Sequence, residues 1–390
     1  QACPPPFFDL RVKGMCGPPV RPRLSAPAVL ERHDAAAAGE AKPPLQSVCA
    51  RAGALVLGLS EPPYAGSRQP PTPQAKAPEK TFRVLKHGVS VHDLFSIRDT
   101  IKSGDYGGVM VHVATRRLDS KEVVLKQRDK HSQGVREWRA MMSQLMAMSE
   151  CPNLLEIIEI IEDVDGFFTV MPRCLGCNLW EYLEVQPQMH ESECRRIVQG
   201  LAEGLACLHR CNIIHQDVSP GNVMVDNAAS DTESTLKIID FDMCGYWIPG
   251  KGRREHFSGT PGFIAPEAFL GQYSPQADLW AVGAILFLIV QGFVPFKAAT
   301  GCLLEVTSAG DFECGGKGAR LIHGAMTMNG PRWQDAPWPE LHLAGDLCRK
   351  LLELEPQQRP WSARQVLQHR WLAFGIEDRL LPPRAVRDRD

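Results

Sequence analysis

The chain has 390 residues, 44% of them hydrophobic and 23% charged, which leaves room for one or two domains with a sizeable core. Its 43 basic and 45 acidic residues give a formal net charge of −2, so the global basic field of a nucleic-acid-binding protein is excluded. Thirteen cysteines are scattered without a repeated ligand spacing, and the pair Cys174 and Cys177 has no second Cys or His pair to complete a zinc site.

Reduced thiols and a cytoplasmic location are therefore expected. Gln1, not Met, stands first, which leaves room for a targeting segment outside the sequence. Residues 1–92 read as a Pro/Ala-rich, disordered region: fifteen of the 31 prolines fall within the first 80 positions, an Ala tract occupies 35–38, and no apolar period is sustained. The stretch "AGALVLGL" at 52–59 is far short of the ~20 apolar residues a membrane helix needs, so no membrane span is expected. The Pro-rich region is a candidate partner-binding segment.

From residue 93 the texture changes. "SIRDTIKSGDYGGVMVHVATRR" followed by "KEVVLKQ" sets Gly and Asp between β-branched runs and predicts a strand, a tight loop and two further strands of a small antiparallel sheet. In "VREWRAMMSQLMAM", Val135, Trp138, Met141, Met142, Leu145 and Met148 recur at helical spacing and predict one helix with an apolar face. A second stripe of Ile197, Leu201, Leu205 and Leu208 predicts another helix, and "LWAVGAILFLIV" at 279–290, apolar all round, predicts a buried one. Two short strands, "NVMV" and "LKIID", flank the polar insert "DNAASDTEST".

Seven fragments then fall in one order. "SGDYGGV" resembles a glycine-rich phosphate loop, "VVLK" a strand carrying an ATP-anchoring lysine, "IIHQDVSPGNVMV" a catalytic loop and "IIDFD" a magnesium motif. "SGTPGFIAPE" resembles the end of an activation segment, "YSPQADLWAVGAILF" a buried central helix, and "LEPQQRPWSARQVLQHRWL" a pair of closing helices. Residues 93–372 thus resemble a eukaryotic protein kinase catalytic domain of the serine/threonine type, with a calcium/calmodulin-dependent-like texture and divergent HQD and DFD motifs. Residues 373–390 remain as a short tail. The resemblance implies an α+β, bilobal fold: a small antiparallel β-sheet with one helix, and a larger, mainly helical lobe.

It also implies ATP and Mg2+ as cofactors and a protein as substrate, with each role given to a residue. Phosphoryl transfer requires positioning and charge neutralisation more than covalent help. Lys126 matches the lysine on the phosphates, and Glu137 is the candidate for its ion-pair partner. Asp217 matches the catalytic base, and Asn222 and Asp240 the metal ligands. Gly104 and Gly107 match the phosphate loop; Val109, Val124 and Met224 enclose the base of the nucleotide; Met171, Pro172 and Cys174 form the hinge. Proline is tolerable at the hinge because only its carbonyl is needed. Thr260 matches the threonine that packs beside the base in serine/threonine kinases.

The departures point to slower chemistry. Positions two and four after Asp217, where the family places a Lys or Arg on the transferring phosphate, hold Ser219 and Gly221. The magnesium motif ends in Asp242 instead of Gly, and Gln216 replaces the arginine that would receive a phosphate from the activation segment. A catalytically inactive scaffold that still binds nucleotide, and a small-molecule phosphotransferase, are the alternatives to an active protein kinase.

Overall fold

The computed structural model describes residues 82–101, 109–130, 135–148, 151–226, 235–250, 254–297, 299, 301, 313–328, 330–373 and 378–383. The expected tether through residue 81, the apolar stretch at 52–59 and the glycine-rich loop with Gly104 and Gly107 lie outside the described residues.

The smaller lobe is built on a six-stranded sheet. Its strands are β1 (Phe82–Val84), β2 (Phe95–Ile101), β3 (Met110–Arg116), β4 (Glu122–Arg128), β5 (Glu159–Glu162) and β6 (Phe167–Pro172), in the spatial order β1-β5-β6-β4-β3-β2. The alternation read in the sequence places Val123 and Leu125 in a satellite core with Phe95, Ala114, Ile161, Phe168 and Val170.

Two expectations are corrected here. Strand β1 runs parallel to β5, with Phe82 opposite Ile160, so the sheet is mixed and not all-antiparallel. The fold also starts before residue 93: Phe82 meets Trp138 edge-on at 6.2 Å, and the Arg139 guanidinium lies 4.8 Å above the Phe82 ring. The amide of Val91, at the start of the short helix α1 (Val91–Leu94), donates to the buried Asp163 carboxylate at 2.9 Å.

The helix α2 (Val135–Met146) buries Trp138, Met141, Met142 and Leu145 of the predicted stripe and also Met146, whereas Val135 is half-buried and Met148 falls half-buried beyond the helix end. Burial of each such apolar side chain contributes about 1.5–3 kcal/mol, and Trp138 packs on the sheet with its ring centroid 5.2 Å from that of Phe167.

The larger lobe begins with β7 (Cys177–Asn178) and α3 (Leu179–Val185), and centres on α4 (Glu191–Arg210). The strands β8 (Ile213–Ile214), β9 (Val223–Asp226), β10 (Thr235–Ile238) and β11 (Gly245–Tyr246) are followed by α5 (Pro275–Gln291). Helix α5 is buried from Asp278 through Val290, as its uniformly apolar sequence requires. It lies close to α7 (His342–Leu351), which follows α6 (Lys317–Met328): a Cβ on Gly283 would stand 2.7 Å from the Leu351 Cβ, so only glycine fits the crossing.

Two short helices, α8 (Ala363–Leu367) and α9 (Arg370–Ala373), close the lobe. Beyond them the described part of the tail folds back onto the lobe. Leu381 is buried and its amide donates to the Met189 carbonyl at 2.8 Å. No helix among the described residues is long and apolar enough to cross a membrane.

Candidate active site

Because Val123 and Leu125 face the small core, the period of β4 turns Val124 and Lys126 to the opposite side. The Lys126 Nζ donates to the Asp240 Oδ1 at 2.7 Å and pairs with the Asp242 Oδ2 at 2.9 Å. Burial would lower the pKa of Lys126, but the Asp242 and Asp240 charges overcome it and hold it above the ordinary lysine value. Asp240 shifts the opposite way: desolvation would raise it, and the Lys126 charge and hydrogen bond hold it below the usual carboxylate range.

Glu137 does not take part. It is exposed on α2, beside the buried Trp138, and the carboxylates on Lys126 come from the loop after β10. Helical periodicity sets which face of α2 is apolar, and Glu137 lies off that face.

The loop between β8 and β9 assembles a second cluster. Asp217 Oδ1 accepts from the Thr260 amide at 2.8 Å and from its Oγ1 at 2.6 Å. Asn222 Nδ2 donates to the Asp217 Oδ2 at 2.8 Å and to the Asp217 carbonyl at 2.9 Å. Ser219 is buried, and its carbonyl accepts from the Asn222 amide at 2.9 Å, which closes a 3-10 turn over Pro220–Asn222.

Behind that loop stands Asp278, which the sequence reading did not single out. Its Oδ2 takes hydrogen bonds from His209 Nε2 at 2.8 Å and the His215 amide at 2.9 Å, and its Oδ1 from the Gln216 amide at 2.8 Å. Burial would raise its pKa; the His209 hydrogen bond and charge, then His215 and the Gln216 amide, hold it below the usual carboxylate value. An acidic residue in the first turn of a wholly apolar helix is the signal that could have found it.

Two non-glycine residues here have left-handed backbone, Gln216 at φ +71° and Asp240 at φ +63°. Such conformations cost on the order of 1–3 kcal/mol each and collect where a site over-determines them. His215, fully buried, and Phe241 pack between the two clusters with ring centroids 5.9 Å apart.

Beside this geometry stands a match of the sequence: residues 95–372 match the family described as "Protein kinase domain". The chain belongs to this protein kinase family. It is similar to calcium-dependent protein kinase 9 of Oryza sativa subsp. japonica, at 27% identity over 76% of this chain and 49% of that protein. Calcium-dependent protein kinase 12 of Arabidopsis thaliana is 28% identical over 61% of this chain and 44% of its own length. A calcium and calcium/calmodulin-dependent serine/threonine-protein kinase of Lilium longiflorum is 30% identical over 61% and 42% respectively. The chain spans about half the length of the curated relatives it matches.

The residues expected at the hinge and cleft walls are placed by strand register. Met171 lies opposite Val124 and Pro172 opposite Val123 across β4 and β6; Met171 is buried and Cys174 follows, half-buried. Met224 on β9 lies opposite Asn178 and Lys237, and its neighbours Val223 and Val225 are buried in the main core, so the half-buried Met224 faces away from that core. Val109 directly precedes β3.

The donor set of this kinase fits Mg2+. Asp240 is a carboxylate, and the Asn222 amide oxygen has no hydrogen-bond donor among the described residues because the Nδ2 makes the contacts to Asp217. Hard oxygen donors in that number, completed by phosphate oxygens, are what Mg2+ takes. Among the described residues no group of three or more His, Cys, Asp or Glu is arranged to hold a metal ion.

Proposed function

We propose that this domain transfers the γ-phosphate of ATP to serine or threonine hydroxyls of proteins, slowly, and without phosphorylation of its activation segment. The observation that carries the reading is the Asp217 carboxylate, fixed on both oxygens by Thr260 and Asn222. So held, Asp217 can orient a substrate hydroxyl and accept its proton as the new P–O bond forms. Lys126 binds the α- and β-phosphates, and Asn222 and Asp240 hold the magnesium. ATP with Mg2+ supplies the phosphoryl group with its charge partly neutralised.

Val109, Val124 and Met224 enclose the adenine, and the Pro172 carbonyl and Cys174 amide read its edge next to Met171. Gly104 and Gly107, which lie outside the described residues, are assigned to the phosphates by their match to the glycine-rich loop. Thr260 favours serine and threonine as acceptors.

Slow turnover follows from Ser219 and Gly221, which supply no cation to the transferring phosphate. Loss of one preorganised charge of this kind costs ~10²-fold or more in rate. The same loss supports a second reading, a nucleotide-binding scaffold without transfer. One experiment separates them. The melting shift induced by ATP is measured with and without magnesium, followed by phosphate transfer to a generic protein substrate. A magnesium-dependent shift with transfer supports the enzyme; a shift without transfer supports the scaffold.

A further inference from the structure

Lys126 lies between two carboxylates that belong to one turn. The Nζ is 2.7 Å from the Asp240 Oδ1 and 2.9 Å from the Asp242 Oδ2, and the Asp242 amide donates to that same Asp240 Oδ1 at 3.3 Å. Phe241, between the two acids, is buried against His215 and pins the turn, so residues 240 and 242 present their side chains to the same lysine.

The lysine crosses from the sheet of one lobe to a loop of the other, and its side chain is only 15% exposed. A buried ammonium needs a fixed counter-charge to stay in place. Helix α2 does not provide it: its one acidic residue, Glu137, is exposed, and the face it buries is Trp138, Met141, Met142, Leu145 and Met146.

Asp240 cannot fill this role by itself. As a metal ligand it would be drawn to a divalent cation, and its attraction for Lys126 would weaken at the moment the lysine must meet the phosphates. A second carboxylate, not shared with the metal, removes that conflict.

We infer that Asp242 is a positioning residue that keeps Lys126 in reach of the nucleotide phosphates when Asp240 binds magnesium, in the place of a carboxylate from helix α2. The aspartate at the end of the "DFD" stretch is then a functional replacement and not a lost glycine. The inference rests on the nucleotide-binding part of the proposed function and not on transfer.

The test is a double-mutant cycle on Lys126→Met and Asp242→Asn, read by equilibrium binding of a fluorescent ATP analogue with magnesium. Asn has the shape of Asp without its charge, and Glu137→Gln serves as comparison. Asp242→Asn is expected to weaken binding about tenfold in the wild-type background, which corresponds to about 1.4 kcal/mol, and to have no effect once Lys126 is Met. Glu137→Gln is expected to bind as wild type.

Equal weakening by Asp242→Asn in both backgrounds would mean that Asp242 acts on the metal and not through Lys126, and would overturn the inference. Weakening by Glu137→Gln with none by Asp242→Asn would overturn it too. Should the wild-type protein bind no nucleotide, the proposed function fails, and the same cycle is read by urea unfolding of the nucleotide-free protein. Non-additive midpoints there support the Lys126–Asp242 coupling, and additive ones refute it.

Discussion

Arg359 meets Glu267 through two parallel hydrogen bonds, Nη1 to Oε1 and Nη2 to Oε2, both 2.7 Å long. The guanidinium is fully buried; it also donates to the carbonyls of Glu353, Leu354 and Gln276, and it lies 4.8 Å from the Trp280 ring. Glu267 belongs to the 3-10 turn Pro266–Leu270 that ends the activation segment, so the pair ties that segment to the closing helices. Removing the carboxylate leaves a buried charge without a counter-ion. Glu267→Ala is therefore expected to lose about 3–5 kcal/mol of stability, measured by urea unfolding. An unchanged melting curve would count against the pair as a structural tie.

The two clusters of the cleft act on charge and not on the core. Lys126→Met or Asp240→Asn should abolish phosphate transfer while each variant keeps a cooperative melting transition. The Asp240 carboxylate is partly exposed and the lysine replaceable by an apolar side chain of similar length, so the stability loss should be smaller than for Glu267→Ala. Near wild-type transfer by either variant would show that the site is assigned to the wrong residues.

Much of this arrangement was legible in the sequence because the local patterns and the order of the motifs agree. The alternation in β4 fixes the face of Lys126, and the stripe from Trp138 to Leu145 fixes the buried side of α2. Strand β1 was not legible, since three residues cannot display a period and its pairing with β5 is a long-range contact. Glu137 was misjudged for a related reason. A period gives the apolar face of a helix, but not where its flanking carboxylates reach in space. The sequence marks Asp278 only as an acid in the first turn of an apolar helix, and its contacts with His215 and Gln216, like that of Asp242 with Lys126, are made by partners distant in sequence.

The Asp278 hub has a pH dependence with a definite sign. Its pKa in the folded protein lies below the ordinary aspartate value, so the carboxylate contributes stability that is complete above about pH 4 and is lost as pH falls through the folded-state value. Asp278→Asn removes the charge that the His209 ring and two backbone amides share. It should cost at least ~2 kcal/mol at neutral pH. The difference in melting temperature between wild type and Asp278→Asn should stay constant from pH 7 to pH 5 and shrink below about pH 4. A difference that grew on acidification would contradict the depressed pKa.

The activation segment lacks both halves of the usual phosphate clamp, and the structure supplies a reason to expect phosphorylation-independent activity. Gln216 is buried and neutral, and its side-chain amide has no hydrogen-bond partner among the described residues, while its backbone amide is committed to Asp278. A neutral amide cannot form the bidentate charged pair that an arginine makes with a phosphate. His256, four residues before Thr260 and so at the position where kinases this chain resembles carry the phosphate-accepting hydroxyl, has none and makes an isolated bridge to Glu313. Ser258 is the nearest hydroxyl, half-buried, with its amide donating to the Tyr273 hydroxyl at 3.0 Å, and the Arg254 guanidinium lies 4.7 Å over the Tyr273 ring. The segment is thus held by Tyr273 and by the Thr260–Asp217 contacts, which need no added charge. Phosphatase-treated protein and the Ser258→Ala variant are expected to transfer phosphate at the rate of untreated protein. A tenfold fall with either would reveal a phosphate switch built from other residues, and a fall with Ser258→Ala would place it at Ser258.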